Sequence, residues 1–241
     1  MPLNNPSSPV AIITAASKGI GAACARKLAE RGYRLVLMSR SEAIHAIARE
    51  VNGIAVQGTV SSVSDLTNLV QVALDRFGRV DAVINSSGHP ESDALLAITD
   101  DRWTEVFEMY FLSIVRMSRL VVPIMTERGG GGFVNISGSD VYEPSSSFAA
   151  ASVIRASMTA YTKLFAQQHA AQKIRMNCVA PNVVLDFEPG QVRADLKSRL
   201  PIQRPASFRE VADVVAFLLS AEASYVSGET VRVDAGASKA I

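Results

Sequence analysis

Cysteine is scarce in this sequence, in which Cys24 and Cys178 are the only two among 241 residues. Two thiols are too few for a disulfide framework or for a cysteine-based zinc site. The three histidines, His45, His89 and His169, are scattered and lack the spacing of metal ligands. The sequence therefore predicts neither a structural metal nor a chain held together by disulfides.

An excess of charge of one sign and long apolar runs are also missing. The chain has 24 basic and 23 acidic residues, a net charge of +1, without a cluster of lysine or arginine that would favour nucleic acid or a membrane surface. No apolar stretch approaches the ~18 residues of a membrane span, and residues 1–9 lack a signal-peptide pattern. We expect a cytoplasmic protein whose partners are small molecules or other protein chains, with no nucleic-acid or membrane partner.

The composition that is present is that of one globular domain. Hydrophobic residues make up 48% of the chain and charged residues 20%, which argues against disorder. Single α/β domains reach ~250 residues, so 241 residues are most simply one domain. We predict a flexible N-terminal arm over residues 1–9, which contains three prolines, and a single domain over residues 10–241.

Short β-branched runs alternate with longer helical patterns along the chain. The predicted strands cover residues 10–14, 34–38, 54–56, 80–84, 133–136, 174–179 and 230–233. Their near-continuous apolar character fits strands that are covered on both faces. Alternation of strands and helices implies right-handed crossovers, so we predict an α/β fold with a doubly wound, seven-stranded parallel sheet and helices on both faces.

Residues 14–21, Thr-Ala-Ala-Ser-Lys-Gly-Ile-Gly, follow the first predicted strand and open into a helix. Gly19 and Gly21 would let backbone amides and the helix N-terminus approach a pyrophosphate. The segment resembles the Thr-Gly-x-x-x-Gly-x-Gly fingerprint of the short-chain dehydrogenase/reductase family, with Ala15 in place of the first glycine. If the turn needs a positive φ at residue 15, alanine costs about 1 kcal/mol there.

The resemblance covers nearly the whole chain and implies a single Rossmann-like domain. Residues 85–88, Asn-Ser-Ser-Gly, are similar to the family's Asn-Asn-Ala-Gly segment after the fourth strand. Residues 174–177 with Pro181 resemble the sixth strand and its exit, and residues 225–236 resemble the C-terminal strand region.

The resemblance also implies a dinucleotide site. Its residues would be Thr14, Ser17, Lys18, Gly19, Ile20, Gly21, Arg40, Asn85 and Gly88. Lys18 and Arg40 occupy positions at which NADP-preferring relatives carry basic residues, so the expected cofactor is NADP(H). The alternative is that both are ordinary solvated charges. Asp186 is at the position of the threonine that anchors the nicotinamide carboxamide in the family. The resemblance therefore leaves open that binding of the nicotinamide half is weakened or lost.

The family's catalytic residues are Asn, Ser, Tyr and Lys, and the resemblance places them on altered residues. Aligned on Asn135-Ile-Ser137 and on Ile174, the serine position falls on Gly138, the tyrosine position on Ala151 and the lysine position on Arg155. Counting from Trp103 puts Tyr110 at the asparagine position. No Tyr-x-x-x-Lys occurs anywhere in the sequence. The sequence therefore predicts a divergent member with a degenerate catalytic centre.

Displaced residues could replace the missing groups. Tyr142 could offer a phenol, Ser139 and Asp140 polar groups, and Arg155 an anion clamp at the carboxyl end of the sheet. Each has a structural alternative: packing for Tyr142, turn capping for Ser139 and Asp140, and an ion pair for Arg155. Three hypotheses remain open: an atypical oxidoreductase, an enzyme of another class that uses the same cleft, and a catalytically silent subunit.

The resemblance also implies an oligomer. The helical regions 103–125 and 148–168 occupy positions that commonly form family dimers, and the last strand often completes a tetramer. We expect a homodimer or homotetramer, with a hetero-oligomer containing an active relative as the alternative. Phe111, Ile114, Val115 and Leu120 would supply part of the contact, unless they belong to the core of their own chain.

Overall fold

Seven strands, each rich in apolar residues, form one parallel sheet. The computed structural model describes residues 7–88, 94–186 and 192–240, so most of the predicted N-terminal arm lies outside the described residues. The strands are Val10–Ile13 (β1), Arg34–Ser39 (β2), Ile54–Gln57 (β3), Ala82–Asn85 (β4), Gly131–Ile136 (β5), Ile174–Pro181 (β6) and Thr230–Val233 (β7). Their order is β3-β2-β1-β4-β5-β6-β7, and all six pairings are parallel. The predicted fold is confirmed.

Helices follow the strands and cover both faces of the sheet. The α-helices are Gly19–Glu30 (α1), Ile44–Glu50 (α2), Val63–Phe77 (α3), Asp100–Phe107 (α4), Ser113–Glu127 (α5), Ala149–His169 (α6), Ala194–Arg199 (α7) and Phe208–Leu219 (α8). A π-helical turn, Glu108–Leu112, joins α4 to α5, and a single 3₁₀ turn, Ser139–Val141, follows β5.

Two hydrophobic layers hold these helices against the sheet. On one face α1, α2 and α8 contribute buried residues such as Leu28, Ile44 and Val215, and on the other α3, α5 and α6 contribute residues such as Leu69 and Met117. Cys24 lies in the first layer, where burial raises the pKa of its thiol to about 12. Cys24 is therefore a core residue whose thiol stays protonated.

The stretch Asp100–Glu127 is long and apolar enough to cross a membrane by length and composition. Its fully buried apolar side chains recur every three or four residues, at Val106, Tyr110, Ile114, Met117, Val121 and Met125. This spacing is typical of an amphipathic helix packed on a sheet. Core packing therefore accounts for its apolar character, including that of Ile114.

The carboxyl ends of β1 and β4 meet where the strand order reverses, which is where open α/β sheets bind ligands. Thr14 fastens the two ends together. Its Oγ1 donates to the carbonyl of Ser86 at 2.6 Å and accepts from the Ser86 amide at 2.9 Å. The turn after β1 is thereby held beside residues 85–88.

The turn between β1 and α1 contains a strained alanine. Ala15 has φ +49°, in the left-handed region that favours glycine. A Cβ added to Gly21 would lie 2.5 Å from the Ala15 carbonyl oxygen, so only glycine fits there. Residue 15 does need a positive φ, so the predicted cost of about 1 kcal/mol for alanine at this position applies.

Replacing Ala15 by glycine should stabilise the protein. We expect Ala15→Gly to raise the free energy of unfolding by up to about 1 kcal/mol, since relief of the left-handed strain exceeds the added entropy of the unfolded chain. Urea unfolding measures the change. Ala23→Gly, within α1, is the matched control and should lose about 0.5–1 kcal/mol. An equal loss in both variants would contradict the strain at residue 15.

Candidate cofactor and active site

The first turn of α1 is arranged to receive an anion. Gly19 begins the helix with φ +58°, and the N-cap residue Lys18 makes no side-chain capping hydrogen bond. The first amides of a helix lack partners within it and carry the positive end of the helix dipole. The backbone of Gly19, Ile20 and Gly21 is therefore available to a phosphate, while the Ile20 side chain packs against the hydrophobic layer on the α1 face.

Two hydrogen bonds attach the phosphate loop to the end of β2. Ser17 Oγ lies 2.8 Å from Ser39 Oγ, and the Ala16 amide donates to the Met38 carbonyl at 3.0 Å. Lys18 and Arg40 are the next residues in the chain after Ser17 and Ser39, so each lies one residue from this contact. Both side chains are exposed.

Arg40 extends towards the loop after β4. Its Nη2 lies 3.7 Å from the position that a Cβ on Gly88 would occupy. Asn85 is directed elsewhere, since its Nδ2 donates to Asn135 Oδ1 at 2.8 Å between β4 and β5. The structure thus places Arg40 and Gly88 together at the mouth of the cleft, whereas the Asn85 side chain ties two strands.

A cavity of about 430 Å³ adjoins the start of α1. Its lining includes Ser17, Lys18, Gly19, Asp186 and Phe208. The Phe208 ring lies 3.6 Å from the position of a Cβ on Gly19, so α8 forms one wall beside the phosphate loop. Asp186 thereby lies close to the loop that the resemblance assigns to the cofactor phosphates.

The four positions that the resemblance assigns to the family's catalytic residues also come together, around a buried ion pair. Arg155 Nη1 donates to Asp140 Oδ2 at 2.9 Å, and Arg155 Nη2 donates to the Tyr110 hydroxyl at 3.3 Å. The Arg155 guanidinium lies 4.8 Å from the centre of the Tyr110 ring. Tyr110 in turn donates to the Gly88 carbonyl at 2.6 Å. We call this series, Gly88–Tyr110–Arg155–Asp140, the cleft chain.

Gly138 makes room for the ion pair. A Cβ at residue 138 would lie 2.5 Å from Asp140 Oδ1 and 2.8 Å from Arg155 Nη1. Ala151, on the first turn of α6, is 1% exposed, and the next residue places Ser152 Oγ 3.3 Å from Asp140 Oδ2. The carboxylate of Asp140 therefore occupies the space into which a side chain at the serine position would project.

The ion pair is deeply buried and only partly satisfied. Arg155 and Asp140 are each 8% exposed. They share a single contact, and the buried atoms Arg155 Nε and Asp140 Oδ1 have no hydrogen-bond partner among the described residues. Burying two charges is costly unless further hydrogen bonds satisfy them. The pair therefore depends strongly on both of its members.

Tyr110 lies at the π-helical turn, and its hydroxyl stays protonated at neutral pH. Burial raises the pKa of Tyr110, and the positive charge of Arg155 opposes that shift only in part. π-helical turns often mark functional sites because they change the direction of a side chain within a helix. Here the turn brings a tyrosine onto both Arg155 and Gly88.

Tyr142 lies apart from the cleft chain. Its hydroxyl donates to the Thr230 carbonyl in β7 at 2.6 Å, and the Arg232 guanidinium lies 4.7 Å from its ring centre. Burial raises the pKa of this phenol. Ser139 opens the 3₁₀ turn, where its carbonyl accepts from the amides of Tyr142 and Glu143. Of the three catalytic candidates, only Arg155 joins the catalytic positions, and these contacts favour packing for Tyr142 and a turn role for Ser139.

Asp140 is the residue whose importance sequence reasoning underestimated. The sequence offers it as a polar group or a turn cap, whereas the structure pairs it with Arg155 and directs its second oxygen at Gly138. The signal available in the sequence was the combination of a glycine at the serine position with an arginine at the lysine position. Both replacements are explained by one carboxylate. No cluster of metal-ligating side chains occurs in residues 7–88, 94–186 and 192–240.

Comparison with known proteins decides the family. The profile described as enoyl-(acyl carrier protein) reductase matches residues 14–238. Dehydrogenase/reductase SDR family member 4 of Oryctolagus cuniculus is 34% identical over 243 residues, covering 95% of this chain and 93% of that protein. The chain belongs to the short-chain dehydrogenase/reductase family. A 3-oxoacyl-acyl-carrier-protein reductase of Vibrio cholerae is 31% identical, with coverage of 94% and 96%.

Solved structures of short-chain dehydrogenases/reductases share the whole architecture. L-Sorbose reductase from Gluconobacter frateurii, complexed with NADPH and L-sorbose, superposes with a TM-score of 0.92 at 27% identity and 98% coverage of both chains. An actinorhodin polyketide ketoreductase with NADPH gives 0.91 at 26% identity, with coverage of 98% of this chain and 99% of that one. The chain is therefore an oxidoreductase-family protein whose structural relatives bind NADPH.

Removing one member of the ion pair should cost far more than removing both. We expect Asp140→Ala to lower the free energy of unfolding by about 3–5 kcal/mol, because the buried Arg155 guanidinium is left unpaired. Arg155→Met should lose a similar amount. The double variant should recover most of the loss. A double-mutant cycle by urea unfolding measures the coupling, and simple additivity of the two losses would contradict it.

Restoring serine at residue 138 should also destabilise the protein. We expect Gly138→Ser to cost about 1–3 kcal/mol, since its side chain must displace Asp140 from Arg155. In an Asp140→Ala background the same change should cost little. Gly88→Ala is the matched control for stability, as its Cβ would meet nothing closer than 3.7 Å. Equal costs of Gly138→Ser in the two backgrounds would show that Asp140 does not fill this space.

Proposed function

We propose that this protein is an NADP(H)-binding short-chain dehydrogenase/reductase with a degenerate catalytic centre, acting as a catalytically silent subunit rather than as an ordinary carbonyl reductase. The observation that carries the proposal is the cleft chain, in which Arg155, Asp140 and Tyr110 bond to one another at the family's catalytic positions. Atypical oxidoreductase activity by displaced residues is the alternative.

The chemistry of carbonyl reduction supports the proposal. Hydride addition to a carbonyl develops an alkoxide that needs a proton, and a positioned general acid contributes about 10²–10⁴-fold. Alanine at residue 151 donates no proton, and arginine at residue 155 stays protonated in proteins. The Tyr142 hydroxyl donates its proton to the Thr230 carbonyl in a hydrogen bond. In this conformation it therefore does not supply the missing acid.

The residues of the adenosine side fit NADP(H). The open amides of α1, the cavity beside Gly19 and the exposed cations Lys18 and Arg40 match a ligand that carries a pyrophosphate and a 2′-phosphate. When bound, the cofactor would supply hydride chemistry. The roles of this chain would be to hold its phosphates at the α1 N-terminus and its 2′-phosphate between Lys18 and Arg40.

The protein should therefore bind NADPH without reducing carbonyl substrates. We expect NADPH at 100 times its Kd to stabilise the protein by about 2.7 kcal/mol in thermal unfolding. Carbonyl substrates should produce no NADPH oxidation above background in the same preparation. Stable binding without turnover is the expected result. Turnover that Tyr142→Phe abolishes would replace the silent-subunit proposal by the displaced-acid alternative, and failure to bind NADPH would overturn the cofactor proposal.

Reconstruction of the catalytic set provides the positive control. A variant with Tyr110→Asn, Gly138→Ser, Ala151→Tyr and Arg155→Lys, together with Asp140→Ala to make room, restores the family pattern. Circular dichroism establishes whether it folds. If the folded variant oxidises NADPH and the unsubstituted protein does not, the residues at these positions account for the inactivity of the unsubstituted protein.

An oligomer is the proposed setting for a silent subunit, either a homo-oligomer or an assembly with an active relative. Val153 and Leu164 lie on α6 eleven residues apart, which is three helical turns, and both side chains are more than half exposed. Phe111, in the π-helical turn, and Val115 and Leu120, on α5, are half-buried. The exposed side chains of Val153 and Leu164 offer an apolar face on α6 that a second subunit would cover.

A charge in this face should weaken the assembly. We expect Leu164→Glu to shift the protein towards the monomer in size-exclusion chromatography with light scattering. Leu185→Glu, at another exposed leucine, is the matched control and should leave the mass unchanged. Co-purification of the parent with a relative that has the complete catalytic set would identify the hetero-oligomer. A parent that is monomeric at micromolar concentration would contradict the assembly.

A further inference from the structure

We infer that this protein recognises only the 2′-phosphoadenosine half of NADP(H), so that its ligands are 2′-phosphorylated adenine nucleotides with or without a nicotinamide group. The inference rests on the proposed NADP(H) binding and specifies which half of the cofactor is recognised. Three independent features of the cleft support it: the cleft chain, the pairing of charges around the cavity, and Asp186.

The cleft chain occupies the nicotinamide side. It runs from the loop after β4, through the π-helical turn and α6, to the loop after β5. It therefore bridges the carboxyl ends of two neighbouring strands, where the reacting half of a dinucleotide would lie. Tyr110 is 1% exposed and Arg155 8%, so neither side chain offers an open surface to a ribose.

Most polar side-chain atoms of the cleft chain form hydrogen bonds within it. The Tyr110 hydroxyl donates to Gly88, and two nitrogens of Arg155 contact Tyr110 and Asp140. The two atoms left over, Arg155 Nε and Asp140 Oδ1, are buried in the protein interior. A nicotinamide ribose would have to break these contacts, which offsets the energy it gains by binding.

Unpaired positive charge remains on the adenosine side. Around the cavity, Arg26 is paired with Glu50, Lys27 with Asp213 and Arg209 with Glu30. Within the described residues Lys18 and Arg40 form no ion pair, both are exposed, and each follows a member of the Ser17–Ser39 contact. A phosphate that bridges them would gain charge-assisted hydrogen bonds without displacing an acidic partner.

Asp186 favours a ligand that lacks the nicotinamide half of NADP(H). It lines the same cavity as Lys18 and Gly19, at the position where the family anchors the nicotinamide carboxamide. A carboxylate beside the phosphate loop repels the phosphate that leads to the nicotinamide ribose. A nucleotide that ends before that phosphate avoids the repulsion and keeps its contacts with Lys18 and Arg40.

Isothermal titration calorimetry with four probes tests the inference. We expect adenosine 2′,5′-bisphosphate and NADPH to bind with dissociation constants within about threefold of each other, adenosine 5′-diphosphate to bind about tenfold more weakly, and nicotinamide mononucleotide to give no heat. NADPH that binds more than about tenfold tighter than the bisphosphate would overturn the inference while leaving the proposed cofactor in place. Absence of binding by both would overturn the proposed NADP(H) site itself.

Surface variants keep the test independent of folding. Lys18→Ala and Arg40→Ala should each weaken bisphosphate binding about tenfold and leave adenosine 5′-diphosphate nearly unchanged. Arg26→Ala is the matched control, because it lines the same cavity but is paired with Glu50. An equal loss in the Arg26 variant would overturn the assignment of the 2′-phosphate to Lys18 and Arg40.

Discussion

The ion pair between Arg155 and Asp140 is the interaction on which the character of the cleft depends. Two charges that are 8% exposed and joined by one hydrogen bond persist only if the surrounding residues accommodate them. Gly138 provides the space, Tyr110 provides an aromatic face and a second hydrogen bond, and Ser152 lies beside the carboxylate. The residues at the positions that the resemblance assigns to catalysis therefore form one packed unit.

The residues of this unit depend on one another. Arg155 contacts Tyr110, and Gly138 leaves the space that the Asp140 carboxylate fills. The rest of the domain has kept the family's architecture, as the seven parallel strands and the TM-score of 0.92 to a sugar reductase demonstrate. The fold has been retained while a different set of contacts occupies its centre, which is what the proposed silent subunit requires.

Sequence reasoning located the elements of the fold well and the site only in part. Short β-branched, near-continuously apolar runs identified all seven strands, because burial on both faces leaves a strong pattern in the sequence. The phosphate loop was recognisable from Gly19 and Gly21, since backbone close to an anion excludes larger residues. The sequence leaves Tyr142 open as a displaced acid or a packing residue, because its phenol contacts β7, 88 residues along the chain, and no local pattern encodes that pairing.

The sequence by itself determined the family, the parallel sheet, the phosphate loop and the absence of any Tyr-x-x-x-Lys, because these are local features of residue order. Only the tertiary structure decided how the residues at the positions assigned to catalysis contact one another. Asp140 and Arg155 are fifteen residues apart, on different elements, and Tyr110 comes from a third. Their contact depends on the π-helical turn, on the path of the chain after β5 and on the missing Cβ of Gly138, which act together only once the sheet and helices have packed.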